Sequence, residues 1–153
     1  MLYPALAKAA YVFSEAGNWN HANALAGELL EQLSIGRVSS VLIADSLHEL
    51  AWTLSRAGRG PEVLAILPEE PLPWVRAAWS FASGDLQGSA DICAAMGALT
   101  EEARDRLWLA ESLVEQHRRP EADSELQRAL SFYRSVGATR YIRNGESLLA
   151  ESA

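Results

Sequence analysis

Apolar residues recur at helical spacing along most of the chain, in runs of about ten to eighteen residues separated by glycine and proline. Alanine, leucine, glutamate and arginine dominate these runs, and all four favour helix. β-Branched runs are almost absent; the richest, Arg37 to Ser46, leads into another helical pattern. The pattern predicts helices over about 4–16, 19–34, 39–57, 61–67, 73–83, 86–97, 100–117, 120–136 and 139–151. Taken in pairs they give four hairpins, about 4–34, 39–67, 73–97 and 100–136, followed by one last helix over 139–151.

The joints within the pairs resemble one another, as an internal repeat requires. Gly17-Asn18-Trp19, Gly58-Arg59-Gly60-Pro61, Gly84-Asp85-Leu86 and His117-Arg118-Arg119-Pro120 each read as a helix end, a tight turn and the start of a second helix. Glycine supplies the positive φ needed just past a helix end. Asn18 or Asp85 can cap the following helix, and Pro61 and Pro120 suit its first turn. Thr100 is placed to cap the helix that carries Glu101 and Glu102 in its first turn. His117 stands where the other joints have glycine, so it must accept a left-handed conformation or change the turn. Pro68, with Pro71 and Pro73 behind it, cuts the second hairpin's return helix short.

These residues resemble the tetratricopeptide-repeat (TPR) hairpin: a small residue in mid-helix, a large apolar residue three later, a turn glycine, and a small residue five past it. Ala10, Phe13, Gly17 and Ala22 fit that order, as do Ala51, Leu54, Gly58 and Val63. Ala77, Ala78, Phe81, Gly84 and Ala90 fit with one residue redistributed, with Trp74 at the family's tryptophan position. Ala110, Leu113, His117 and Ala122 fit with histidine for glycine. The resemblance implies an all-α fold, an α-solenoid of about four TPR-like hairpins with a C-terminal capping helix, forming one domain over residues 1–153. It further implies a concave groove lined by the first helix of each hairpin. The residue after each mid-helix small position would face it, which selects Tyr11, Trp52, Trp79 and Glu111, with His48 and Arg56 one turn to either side of Trp52. The same aromatics at helical spacing also fit plain packing between neighbouring first helices.

Composition narrows the function classes. Net charge is −7 with an isoelectric point near 4.9, which argues against the basic stripe that nucleic acid demands. Mean hydropathy is −0.04 and no run approaches a membrane span. The apolar N-terminus has no basic region ahead of it and reads as a core helix rather than a leader. A single cysteine, Cys93, excludes an internal disulfide and fits a reducing, cytoplasmic setting. The basic residues are arginine except for Lys8, a bias that fits a GC-rich bacterial genome.

No catalytic constellation, cofactor motif or metal-ligand spacing emerges: His21, His48 and His117 are unpaired in sequence, and no phosphate-cradling loop is present. The chain therefore reads as a non-enzymatic module with a protein or peptide partner, and an uncapped end offers a route to a homodimer. Three arginines without an intervening acid, Arg134, Arg140 and Arg143, form a secondary candidate patch beside the plain reading of solvated surface. Residues 121–150, with the words FYRSVGATRYIR and LLA, and the stretch from Pro68 to Ile92 resemble the C-terminal repeat regions of large bacterial regulators of the cyclase or STAND ATPase type, a similarity over about the last 90 residues. That resemblance implies the alternative of a regulatory or sensor region acting in cis on such a protein.

The alanines at the crossings give the first test. Ala22→Phe and Ala122→Phe should each lower stability by about 1–3 kcal/mol, because helices about 8–10 Å apart leave no room for a ring. Thermal unfolding checks this: unchanged midpoints in both variants would overturn the registration.

Overall fold

The computed structural model describes residues 3–36, 44–67 and 72–150. Among these residues there are nine helices and no strand: α1 (Tyr3–Glu15), α2 (Trp19–Ser34), α3 (Ala44–Arg56), α4 (Gly60–Leu64), α5 (Pro73–Ala82), α6 (Leu86–Met96), α7 (Leu99–Glu115), α8 (Arg119–Ser135) and α9 (Thr139–Ala150). No helix among them is long and apolar enough to cross a membrane. Each predicted helix is present. The expected start of the third at 39, the loop of Pro68 to Pro71 with Glu69 and Glu70, and the end of the last helix at 151 lie outside the described residues.

Six joints share one geometry. A residue with positive φ follows the helix: Gly17, Gly58, Gly84, Gly97, His117 and Gly137. The next residue donates its N–H to the carbonyl five back, as Asn18 to Phe13, Arg59 to Leu54, Asp85 to Ser80, Ala98 to Cys93, Arg118 to Leu113 and Ala138 to Tyr133, at 2.7–2.9 Å. This is the Schellman closure, which satisfies carbonyls left over at a helix end. The same residue then starts the next helix: the carbonyls of Asn18, Ala98, Arg118 and Ala138 accept from the N–H four residues on. His117 keeps the turn, with φ at 59°, and accepts the left-handed strain.

Asn18 caps α2 through its side chain, and Pro61 and Pro120 lie in the first turns of α4 and α8. Thr100 does not cap α7. The left-handed turn at Gly97 sets the cap at Ala98, which has no side chain to offer, and Thr100 falls inside the first turn.

The chain divides into two compact units, 1–85 and 86–153. In the first, α3 is the central helix and packs on α1, α2, α4 and α5. Its nine residues from Ser46 to Leu54 are all buried, the signature of a helix enclosed on all sides. In the second, α7 lies against α6 and α8, and α9 packs on α8 and α7. Ala103, Leu107, Ala110, Leu126, Ala129 and Tyr133 form its core, with Tyr141, Ile142, Leu148 and Leu149 of α9 partly covering them.

Seven residues before each turn residue stand Ala10, Ala51, Ala77, Ala90, Ala110 and Leu130, all buried. The one large member, Leu130, faces Gly145 of α9, where a Cβ would sit 2.7 Å from the leucine's Cδ2. At Gly60 the constraint is backbone: a Cβ would lie 2.7 Å from the carbonyl oxygen of Ala82.

Two substitutions at the joints should therefore move stability in opposite directions. His117→Gly removes left-handed strain of about 1–2 kcal/mol, offset by about 0.5–1 kcal/mol of glycine entropy, and should raise the midpoint by a few degrees. Gly60→Ala should lower stability by about 1–3 kcal/mol, because main chain has nowhere to move. Calorimetry on the two variants checks both signs.

Candidate functional site

Tyr11 and Trp52 come together where α1 meets α3. Their rings meet edge to face, 5.1 Å between centroids and 77° between planes. The guanidinium of Arg56, one turn further along α3, lies 5.1 Å from the Trp52 centroid. Such a contact stabilises by about 0.5–1 kcal/mol at an exposed site. Tyr11 is half-buried, Arg56 exposed and Trp52 only 3% exposed.

His48 is fully buried, and its ring lies 5.3 Å from that of Phe81 on α5. Both His48 and Trp52 thus sit under the surface that sequence spacing selected them to line, because α3 is enclosed on every side. Trp79 on α5 is exposed, at 49%. Counted from the turn residue, Ala78 stands level with Tyr11 and Trp52, six positions before, and Trp79 is one position beyond. That offset turns the indole outward. Glu49, which the sequence reading passed over, is 9% exposed, and its Oε2 is enclosed without a hydrogen bond.

The second unit carries Glu111, half-buried on α7, and the arginines of the secondary patch. Arg134 donates to Glu146 of α9 at 2.8 Å, Arg140 lies 5.9 Å from the Tyr141 ring centroid, and Arg143 is exposed. Tyr141 in turn stacks on Tyr133, 4.7 Å apart and 11° from parallel.

The strongest polar feature of this unit was not singled out from sequence. Arg106 of α7 is buried and binds one carboxylate from each of three helices. Its Nε donates to Glu102 of α7 at 2.7 Å, its Nη1 to Glu125 of α8 at 2.8 Å, and its Nη2 to Asp91 of α6 at 3.1 Å. Burial works against its charge, but the hydrogen bonds it donates to Glu102 and Glu125 outweigh that and drive its pKa up. The three acids thus share one fixed cation, and only the Asp91 side chain is largely exposed. Only the Glu102–Arg106 pair, four apart on one helix, was visible in sequence; the other two partners come from distant turns.

A second buried group joins α6 to α7. Asp105 is fully buried and accepts from the Ser89 hydroxyl at 2.6 Å, with the Cys93 sulfur 3.9 Å from the same oxygen. Burial first, and the negative charge of Asp105 next, push the Cys93 thiol well above its ordinary range.

Alongside the Arg106 group a half-open cleft of about 230 Å³ lies over α7. Leu109 and Leu113 line it from α7, Gln87 from α6, and Arg118, Glu121, Ser124 and Glu125 from the α7–α8 joint and α8. Glu125 belongs to both features.

These polar groups predict two measurable behaviours. Cys93 should resist a disulfide-exchange reagent at pH 8 in the folded chain and react fully after denaturation; rapid reaction in the native state would contradict its burial. Arg106→Ala should cost about 2–4 kcal/mol by leaving three acids clustered around a void, read from urea unfolding. No protein-family model matches the chain, and no curated protein matches it at a significant level.

Proposed function

We propose that this chain is a non-catalytic interaction module built from TPR-like hairpins, which binds a peptide or a partner surface on the exposed side of its first helices. The repeated Schellman joints and the small residues seven positions before them support the hairpin reading. The spacing is irregular about the standard 34 residues: the turn residues within the pairs, Gly17, Gly58, Gly84 and His117, follow at intervals of 41, 26 and 33.

The observation that carries the binding reading is in the first unit. Arg56 lies over a buried tryptophan, and Trp79 leaves half its surface in solvent. Indole and guanidinium groups are the residues that most often dominate interfaces. Trp52, itself packed against Tyr11, holds Arg56 in place, which lowers the entropy lost when a partner binds it. A partner would meet Arg56, Trp79 and the exposed edge of Tyr11, while His48 and Trp52 support them from below.

The resemblance to C-terminal repeat regions of larger regulators rests on residues whose work here is structural. In FYRSVGATRYIR, Gly137 makes the turn, Tyr133 and Tyr141 stack, and Ile142 covers the core. That word therefore supports the repeat reading.

The test is binding by surface variants. A partner captured with the immobilised chain should bind Arg56→Ala and Trp79→Ala at least about tenfold more weakly, a loss of about 1.4 kcal/mol, with unchanged circular dichroism and melting. Full affinity in both variants would remove this face from the function.

A further inference from the structure

We infer that the cleft over α7 is a second docking site, separate from the aromatic face, and that it takes a short peptide segment carrying a large apolar side chain beside a lysine or arginine.

The site begins in the helical spacing of α7. Glu102, Arg106, Leu109 and Leu113 are spaced four, three and four apart, so they form one stripe along the helix. Arg106 reaches across that stripe to Asp91 on one flanking helix and Glu125 on the other. The guanidinium thus ties α6 and α8 to α7 and fixes the width of the trough between them. Where the charged half of the stripe ends, the floor becomes Leu109 and Leu113, and the trough opens into the cleft. A cleft braced in this way is formed before its ligand arrives, so little binding energy goes into shaping it.

Volume decides what kind of ligand fits. Pockets that enclose whole small molecules run roughly 300–1,000 Å³. This cleft has about 230 Å³ and is half open, room for one or two side chains with the rest of the ligand passing outside. An anchor residue of a peptide meets that description.

Charge decides what flanks the anchor. Three carboxylates surround one guanidinium, and Arg128 reaches Glu125 only at 3.9 Å. The braced end is left negative, and the Asp91 side chain there, one helical turn along α6 from the lining residue Gln87, is 56% exposed. Arg118 and Glu121, at the far rim, neutralise each other at 3.3 Å. A basic group therefore gains at the Asp91 end and nowhere else along the trough. Arg106 lies about 7 Å from the middle of the leucine floor by helical rise, close to the span of two extended residues. The net charge of −7 draws the same class of ligand from a distance.

The test uses a phage-displayed random dodecapeptide library panned on the full chain. Enriched sequences should carry Leu, Ile, Met or Phe within two or three residues of Lys or Arg. The most enriched peptide, made synthetically and titrated into methyl-labelled protein, should shift the methyl signals of Leu109 and Leu113. Its affinity should fall at least threefold with Asp91→Asn, and as much with Gln87→Arg, which adds positive charge at the rim without touching the Arg106 brace. Trp79→Ala should leave it unchanged, so loss of the aromatic face and loss of this site are separable. Failure to enrich the pattern, still leucine methyls on titration, or full affinity in both rim variants would each overturn the proposal. So would leucine methyls that shift with the chain's own concentration, which would make a second copy the occupant.

Discussion

A helix that ends in a left-handed residue and restarts within two residues must turn back along itself. At the five joints inside the two units the αL residue closes the finished helix, and its neighbour opens the next one. Nothing remains of the link to hold the two axes apart, so their separation is set by the side chains one to two turns above the joint. That is why buried alanine recurs seven residues before the turn. The exception shows the same constraint from the other side: Leu130 fills that position, and the helix facing it presents Gly145. The volume of the contact is conserved although neither residue is.

The constraint is local, and so it was legible. Glycine and proline positions mark the described helices and the four joints within the pairs, where His117 is legible as strain or a changed turn, but not the same turn at Gly97. Legibility failed where a result depended on several elements at once. Thr100 has the chemistry of a cap, but the turn residue at Gly97 places the cap two positions earlier. His48 and Trp52 have the spacing of surface residues, but α3 is covered from four directions. Periodicity tells which face of a helix is apolar; it does not count how many neighbours the helix has.

The same limit explains the missed polar groups. Arg106, Asp91 and Glu125 read along the chain as ordinary helix charges, and Ser89, Cys93 and Asp105 as a small-residue stretch and a solvated acid. Their meaning appears only when three helices meet. The two groups also differ in kind. Ser89 and Asp105 are sealed in the interior and fix how α6 sits on α7. The Arg106 group runs from a buried guanidinium to a half-exposed Asp91, so it braces the helices and still presents charge to solvent.

That difference bears on where binding can occur in a repeat fold. Helix pairs packed through alanine give close, rigid contacts but few polar handles, because small side chains carry no chemistry. Such handles come from residues outside the alanine pattern. In the first unit that residue is Trp79, which faces outward because it falls one position past the level of Tyr11 and Trp52. In the second it is Arg106, nine residues past its turn, where α2, α6 and α8 carry the buried Ala26, Cys93 and Leu126 and α9 the exposed Glu146. Burying a guanidinium there costs desolvation that only three acids offset. A leucine at that place would pack α7 without any of them. The sequence keeps the costlier arrangement, and its one visible consequence beyond packing is a braced, negatively charged trough beside an open apolar floor.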